Sequence, residues 1–247
     1  MRHHRKPDKR PWPVLAVSIA LLGALVAGLC AAAWRQDSGE AAAASPAGRD
    51  AGAPPGGRGA VPRQGTGRFT PATGDSAVSG HGRPLRYGVD VEDGIGQDPQ
   101  AFAAEVDRIL ADRRSWTAGG AAFQRVGRAP YDFVVHLASP GTTDRLCARF
   151  GLDTGGEVNC QGGSDVVVNL KRWLLLSPFY RGRPAVYHAL IINHEVGHRL
   201  GRGHQRCPGP GRPAPVMMQQ IKGLHGCRPN AWPFDTAGRP VEGPAAP

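Results

Sequence analysis

His194–His204 reads HEVGHRLGRGH and fits the pattern H-E-x-x-H-x-x-G-x-x-H at every specified position. His194 and His198 are four residues apart, so on a helix they share one face and can hold one metal ion. Glu195 stands beside the first histidine, where a carboxylate can hold a metal-bound water and take its proton. Gly201 predicts that the chain leaves the helix through a positive-φ turn, which other residues adopt at a cost. That turn brings His204 back as a third nitrogen ligand. Three imidazoles and one open position form the ligand set of a catalytic zinc. Structural zinc sites are closed by a fourth protein ligand, and none stands here at a suitable spacing. A bare HExxH arises by chance in helices that bind nothing. The glycine, the third histidine and a methionine pair downstream argue against chance.

The stretch resembles the zinc signature of the metzincin clan of metallopeptidases. Metzincins carry a tight turn with a methionine beneath the metal. Ala214–Gln220 (APVMMQQ) is similar to that Met-turn and holds two of the chain's three methionines. The resemblance aligns Met217 with the family's methionine, with Met218 as the alternative. It covers roughly residues 185–220 by motif, and the order of elements extends it more weakly to about residue 85. The layout also resembles an actinobacterial family of membrane-anchored, metzincin-like domains of unknown function, which implies no activity. The metzincin resemblance implies an α/β (α+β) zincin domain with a mixed twisted sheet, two main helices and a zinc cleft under an edge strand. It implies Zn²⁺ on His194, His198 and His204, with Glu195 as catalytic base. By analogy, Gly156–Gln161 is the candidate edge strand for pairing with extended peptide; an ordinary hairpin is the alternative. Some metzincins place a tyrosine just after the methionine turn, whereas Gln219 and Gln220 follow here.

The chain has 247 residues and a net charge of +10. Residues 1–84 carry 11 Lys/Arg against 5 Asp/Glu, and the remainder 19 against 15, so the excess is concentrated at the front. No basic stripe with interleaved aromatics follows, which argues against nucleic acid as a partner. Residues 1–13 are a basic amino terminus expected to stay in the cytoplasm. Residues 14–34 are an apolar run with no charge up to Ala33, long enough to span a bilayer. It reads as an uncleaved membrane anchor or as a signal segment cut near Ala31–Ala33. Residues 35–84 are more than half Gly, Ala and Pro, and read as a disordered linker that cannot bury enough surface to fold.

Residues 85–235 read as the zinc peptidase domain and 236–247 as a disordered tail. Arg86–Glu92 alternates as a strand. Asp98-Pro99 opens an amphipathic helix to about Ala111. Ala122–Val126 and Tyr131–Ala138 are strands, and His136 in the second is read as a core or face residue. Cys147–Leu170 reads as hairpin-like, ending in a buried strand at Asp165–Leu170. Lys171–Arg183 is an aromatic-rich connection, and Pro184 starts the metal helix. Cys147, Cys160, Cys207 and Cys227 give an even number beyond a membrane, which reads as two disulfides. Of three possible pairings, the neighbour pairing Cys147–Cys160 and Cys207–Cys227 is expected. The first would staple a hairpin and the second would close a loop around the Met-turn.

The expected function is an extracytoplasmic zinc endopeptidase acting on peptide or protein substrate, membrane-anchored, or secreted if the segment is cleaved. The alternatives are an inactive zinc-stabilised module binding cell-wall or surface components, and a zinc hydrolase of non-peptide amides. Physiological substrate, regulation and oligomeric state are not legible in the sequence.

Overall fold

The structure is a computed structural model that describes residues 60–247. The basic amino terminus, the apolar run 14–34 and the linker up to residue 59 lie outside the described residues. No helix among the described residues is long and apolar enough to cross a membrane.

Six strands, β1 (Phe69–Pro71), β2 (Leu85–Glu92), β3 (Phe123–Arg125), β4 (Phe133–Ala138), β5 (Cys160–Gly162) and β6 (Asp165–Asn169), form one mixed sheet. Its order is β1-β2-β4-β6-β5, with β3 also paired to β2. β2, β4 and β6 run parallel, and the edge strands β1 and β5 are antiparallel to their neighbours. Among the described residues the α-helices are α1 (Pro99–Ala111), α2 (Pro140–Ala148), α3 (Leu170–Leu175) and α4 (Pro184–Arg199). The fold is thus mixed α/β.

β6 is buried on both faces, as a central parallel strand must be when helices cover each side. Val166 and Val168 join the main core on the α4 face, while Val167 joins Leu146 and Cys147 of α2 on the opposite face. The period-2 alternation of a strand produces this division. α1 starts as its sequence dictates: the Asp98 carboxylate accepts the Ala101 N–H at 2.7 Å, and Pro99 occupies the first turn. Its buried stripe, Phe102, Val106, Ile109 and Leu110, packs on β2 and α4.

Four sequence expectations are corrected. The segment 60–84 is not a free linker: β1 pairs with the end of β2, and the Gly65 and Gly67 N–H groups donate to Ser139 Oγ and Glu92 Oε1. Glu92 is buried and also accepts from the Ser139 N–H and the Thr142 hydroxyl. Burial pushes its pKa up, but these donors outweigh it and hold the carboxyl below its ordinary value. A segment tied down by pairing at a strand end and by hydrogen bonds to remote polar side chains leaves no hydrophobic periodicity to read. Second, Cys147 belongs to α2, whose Gly and Thr pair weaken its helical signal. Its disulfide with Cys160 therefore ties a helix to the edge strand rather than stapling a hairpin.

Third, the edge strand is Cys160–Gly162, shorter than Gly156–Gln161. Asn159 Oδ1 takes the Asn169 N–H, and Asn169 Nδ2 donates to the Gly156 carbonyl, so side chains replace a continued ladder. Fourth, residues 236–247 are anchored. Val241 N–H donates to Pro233, Arg206 N–H to Pro244, and Ala246 N–H to His204. Lys171–Arg183, read as an aromatic-rich connection, contains α3, and its Trp173 stacks on His188 with ring centroids 3.5 Å apart.

His136 lies on the α2 face, opposite Val167 in register, between Asp90 (2.7 Å) and Asp165 (3.6 Å). Burial alone would lower its pKa, but hydrogen bonding and charge from Asp165 and Asp90 raise it to about 9. A folded pKa above the unfolded value of about 6.5 means stability that is full below that pH and is lost as pH rises through about 9. Urea unfolding should show a loss on the order of 2–3 kcal/mol between pH 6.5 and 9.5, and His136→Gln should flatten that slope. An unchanged slope in the variant would contradict the assignment.

Candidate metal centre

α4 carries the first half of the centre. Pro184 sits in its first turn, and Tyr187, Leu190, Ile191 and Ile192 are buried. At Gly197 the helix lies so close to its support that a Cβ would stand 2.3 Å from Met217 Sδ and 2.7 Å from Trp116 Cζ2. Trp116 Nε1 donates to the Asn193 carbonyl at 2.8 Å, and Asn193 Oδ1 accepts from the buried Ser115 hydroxyl. The helix ends as the sequence predicts. Gly201 has φ +79°, and the Arg202 N–H turns back to the Gly197 carbonyl.

The turn delivers His204 to the other two histidines. The ring nitrogens available as ligands on His194, His198 and His204 all lie within 4.8 Å of one another, a group that could hold a metal ion. His198 Nε2 is 3.2 Å from His194 Nε2 and 3.0 Å from His204 Nε2. The opposite nitrogens of two rings are committed: His194 Nδ1 meets the Val216 carbonyl and His198 Nδ1 the Arg202 carbonyl, each at 2.8 Å. A carbonyl can only accept, so both Nδ1 atoms carry the proton and both Nε2 atoms present lone pairs. Two lone pairs facing at 3.2 Å cannot hydrogen-bond to each other. A cation between them removes the conflict. Metal–nitrogen bonds of about 2.0–2.1 Å at tetrahedral angles place ligand nitrogens about 3.3–3.4 Å apart, close to the spacing here. The residues present therefore fit a metal ion.

The electrostatics agree. Burial, with the neighbouring imidazoles, pushes His194 down to about 3, and burial lowers His198 and His204 as well. Neutral imidazoles are what a metal requires. Glu195 is buried, has no hydrogen-bond or ion-pair partner among the described residues, and is pushed up to about 8 by burial. It faces a cleft of about 590 Å³. Tyr187, Leu190 and Ile191 of α4 form one wall, Met218–Lys222 another, and Val158–Gln161 with Leu152–Thr154 the rim on the side of β5.

The two methionines divide. Met217 joins the main core against Gly197, and its carbonyl accepts the Gln205 N–H. Met218 lines the cleft and packs with Ala214 and Cys227. The Cys207–Cys227 disulfide closes the loop that contains both. Gln219 opens onto the cleft, whereas Gln220 is buried, accepting from Tyr180 Oη at 2.6 Å and donating to the Asn230 and Pro215 carbonyls. His188 and His225 lie apart from the three converging histidines. Sequence reasoning missed Asn193 and Tyr187, and met Gln220 only as a departure from the tyrosine of some metzincins. Tyr187 is buried in the cleft wall and pushed up to about 12 by burial, with the Glu195 charge adding to the shift. Its place one turn and more ahead of the motif was the only available signal.

A family model described as "Protein of unknown function (DUF3152)" matches residues 53–226. Searches of curated proteins and of solved structures return no match for the chain.

Gly197→Ala gains about 1 kcal/mol of helix propensity, but the new methyl meets a sulfur and an indole inside contact distance. A net destabilisation of about 1–3 kcal/mol in urea unfolding is expected. Wild-type stability would mean that Met217 and Trp116 are not held against the helix.

Proposed function

The chain belongs to the DUF3152 family, whose description assigns no chemistry, and from the geometry of its site we propose that it is a zinc-dependent endopeptidase working outside the cytoplasm. The observation that carries this reading is the convergence of three histidine Nε2 atoms, two of them presenting lone pairs, beside a buried carboxyl with no partner among the described residues, on an open cleft. His194, His198 and His204 would hold the metal. Zinc bound there would supply Lewis acidity toward a scissile carbonyl and toward the attacking water. Glu195 takes the proton of the attacking water and returns it to the leaving amine. Glu195 has no hydrogen-bond or ion-pair partner among the described residues and opens on the cleft. A cation held by the three histidines would bring its carboxyl back down from about 8, so that it could act as the base.

The metzincin resemblance gains support from Met217, packed under the ligand helix at Gly197, and from β5, an antiparallel edge strand on the cleft rim. An extended peptide pairing with β5 would cross the metal centre. Two disulfides suit an oxidising compartment. With the apolar run at 14–34, they support an anchored domain facing outward. An inert binding module has no use for a carboxylate held beside three metal ligands.

The test is cleavage of a diverse peptide mixture by the zinc-loaded full chain, read by mass spectrometry beside Glu195→Ala. The variant should lose about 10²–10⁴-fold in rate and keep its zinc. No cleavage by the wild type, or equal cleavage by both, would contradict the proposal.

A further inference from the structure

His204 differs from the other two ligands in how it is held. His194 and His198 project from a helix packed into the core. His204 comes from an irregular stretch that follows Gly201 and Gly203, where an added Cβ would meet nothing within 4 Å. Two unencumbered glycines give that stretch wide conformational freedom, and fixing it costs entropy that some other contact must offset.

On one side the contact is the Gln205 N–H to the Met217 carbonyl at 3.1 Å. On the other side is the C-terminal segment. The Ala246 N–H donates to the carbonyl of His204 itself at 2.9 Å. The Arg206 N–H donates to Pro244 at 2.8 Å, and Gln205 and Ala245 form an antiparallel bridge between them. The Arg206 side chain adds a bond from Nε to the Ala245 carbonyl. Gly243 lies so close that a Cβ there would stand 2.0 Å from the Arg206 carbonyl oxygen. Val241 fastens the near end of the segment to Pro233. The stretch bearing His204 is therefore a short middle lane between the methionine turn and the C-terminal segment.

We infer that residues 240–246 are a strap that positions His204 as the third metal ligand. This rests on reading the three histidines as metal ligands. The strap lies beyond residue 226, where the family match ends. Its residues touch the backbone that carries the ligand rather than the metal, so they act by positioning. Without the strap, His194 and His198 keep their places on the helix, and the centre falls back toward a two-histidine site.

The experiment uses the full chain, a Gly243→Val variant, a chain truncated after Arg239, and His204→Ala as the reference for a lost third ligand. Zinc affinity is measured by competition with a chromophoric chelator. Coordination is read from the visible spectrum after cobalt loading. Circular dichroism and urea unfolding report the fold. The strap variants should stay folded, bind zinc about 10–100-fold more weakly than wild type, and move their cobalt spectra toward that of His204→Ala. Wild-type affinity and spectrum in both would overturn the inference. So would global unfolding of both, since the segment would then be part of the core. If the wild type itself binds no zinc, the metal-site reading fails first and takes the strap's role with it.

Discussion

The hydrogen bond from His194 Nδ1 to the Val216 carbonyl joins the two halves of the centre. It ties the ligand helix to the methionine turn, 22 residues further on. It also sets the tautomer, and so decides which nitrogen would face a bound metal ion. The same device is repeated within one turn of chain, where His198 Nδ1 meets the carbonyl of Arg202. Both acceptors are backbone atoms, so the orientation of the ligands depends on where the backbone of two loops is held.

That explains the investment of buried polar groups around the loops. Gln220 braces the methionine turn from within, through Tyr180, Pro215 and Asn230. Asn230 Nδ2 in turn donates to the Ala214 carbonyl at the turn's start. Asn193, just before the first ligand, binds Ser115 and Ala231. A buried amide with every partner in place resists displacement, because losing one bond leaves a costly unpaired group. The Cys207–Cys227 disulfide constrains the same loop covalently. The central sheet is the platform: β6 supports α4 on one face and α2 on the other, and β5 borders the cleft.

The metal motif was readable because its spacing is local. Helical geometry fixes His194 against His198, and Gly201 marks the exit toward His204. The two disulfides were readable from the even number of cysteines in the domain, and α1 from its cap and stripe. What escaped reading is held by contacts remote in sequence and polar in kind. β1 and the segment before it hang on Glu92 and Ser139, and the C-terminal segment on the backbone of 204–206. Both places are rich in Gly, Ala and Pro and poor in large apolar residues, so composition alone reads them as unstructured. Gln220 stood beside the motif and was noticed only as the lack of a tyrosine, since burial is a property of the fold and not of the residue.

The most direct measurement is X-ray absorption at the zinc edge on the purified full chain after metal analysis. A site of this geometry predicts one zinc per chain with three imidazole nitrogens at about 2.0–2.1 Å and one further light-atom ligand. Sulfur in the shell, four histidine-like scatterers, or no bound zinc would contradict it.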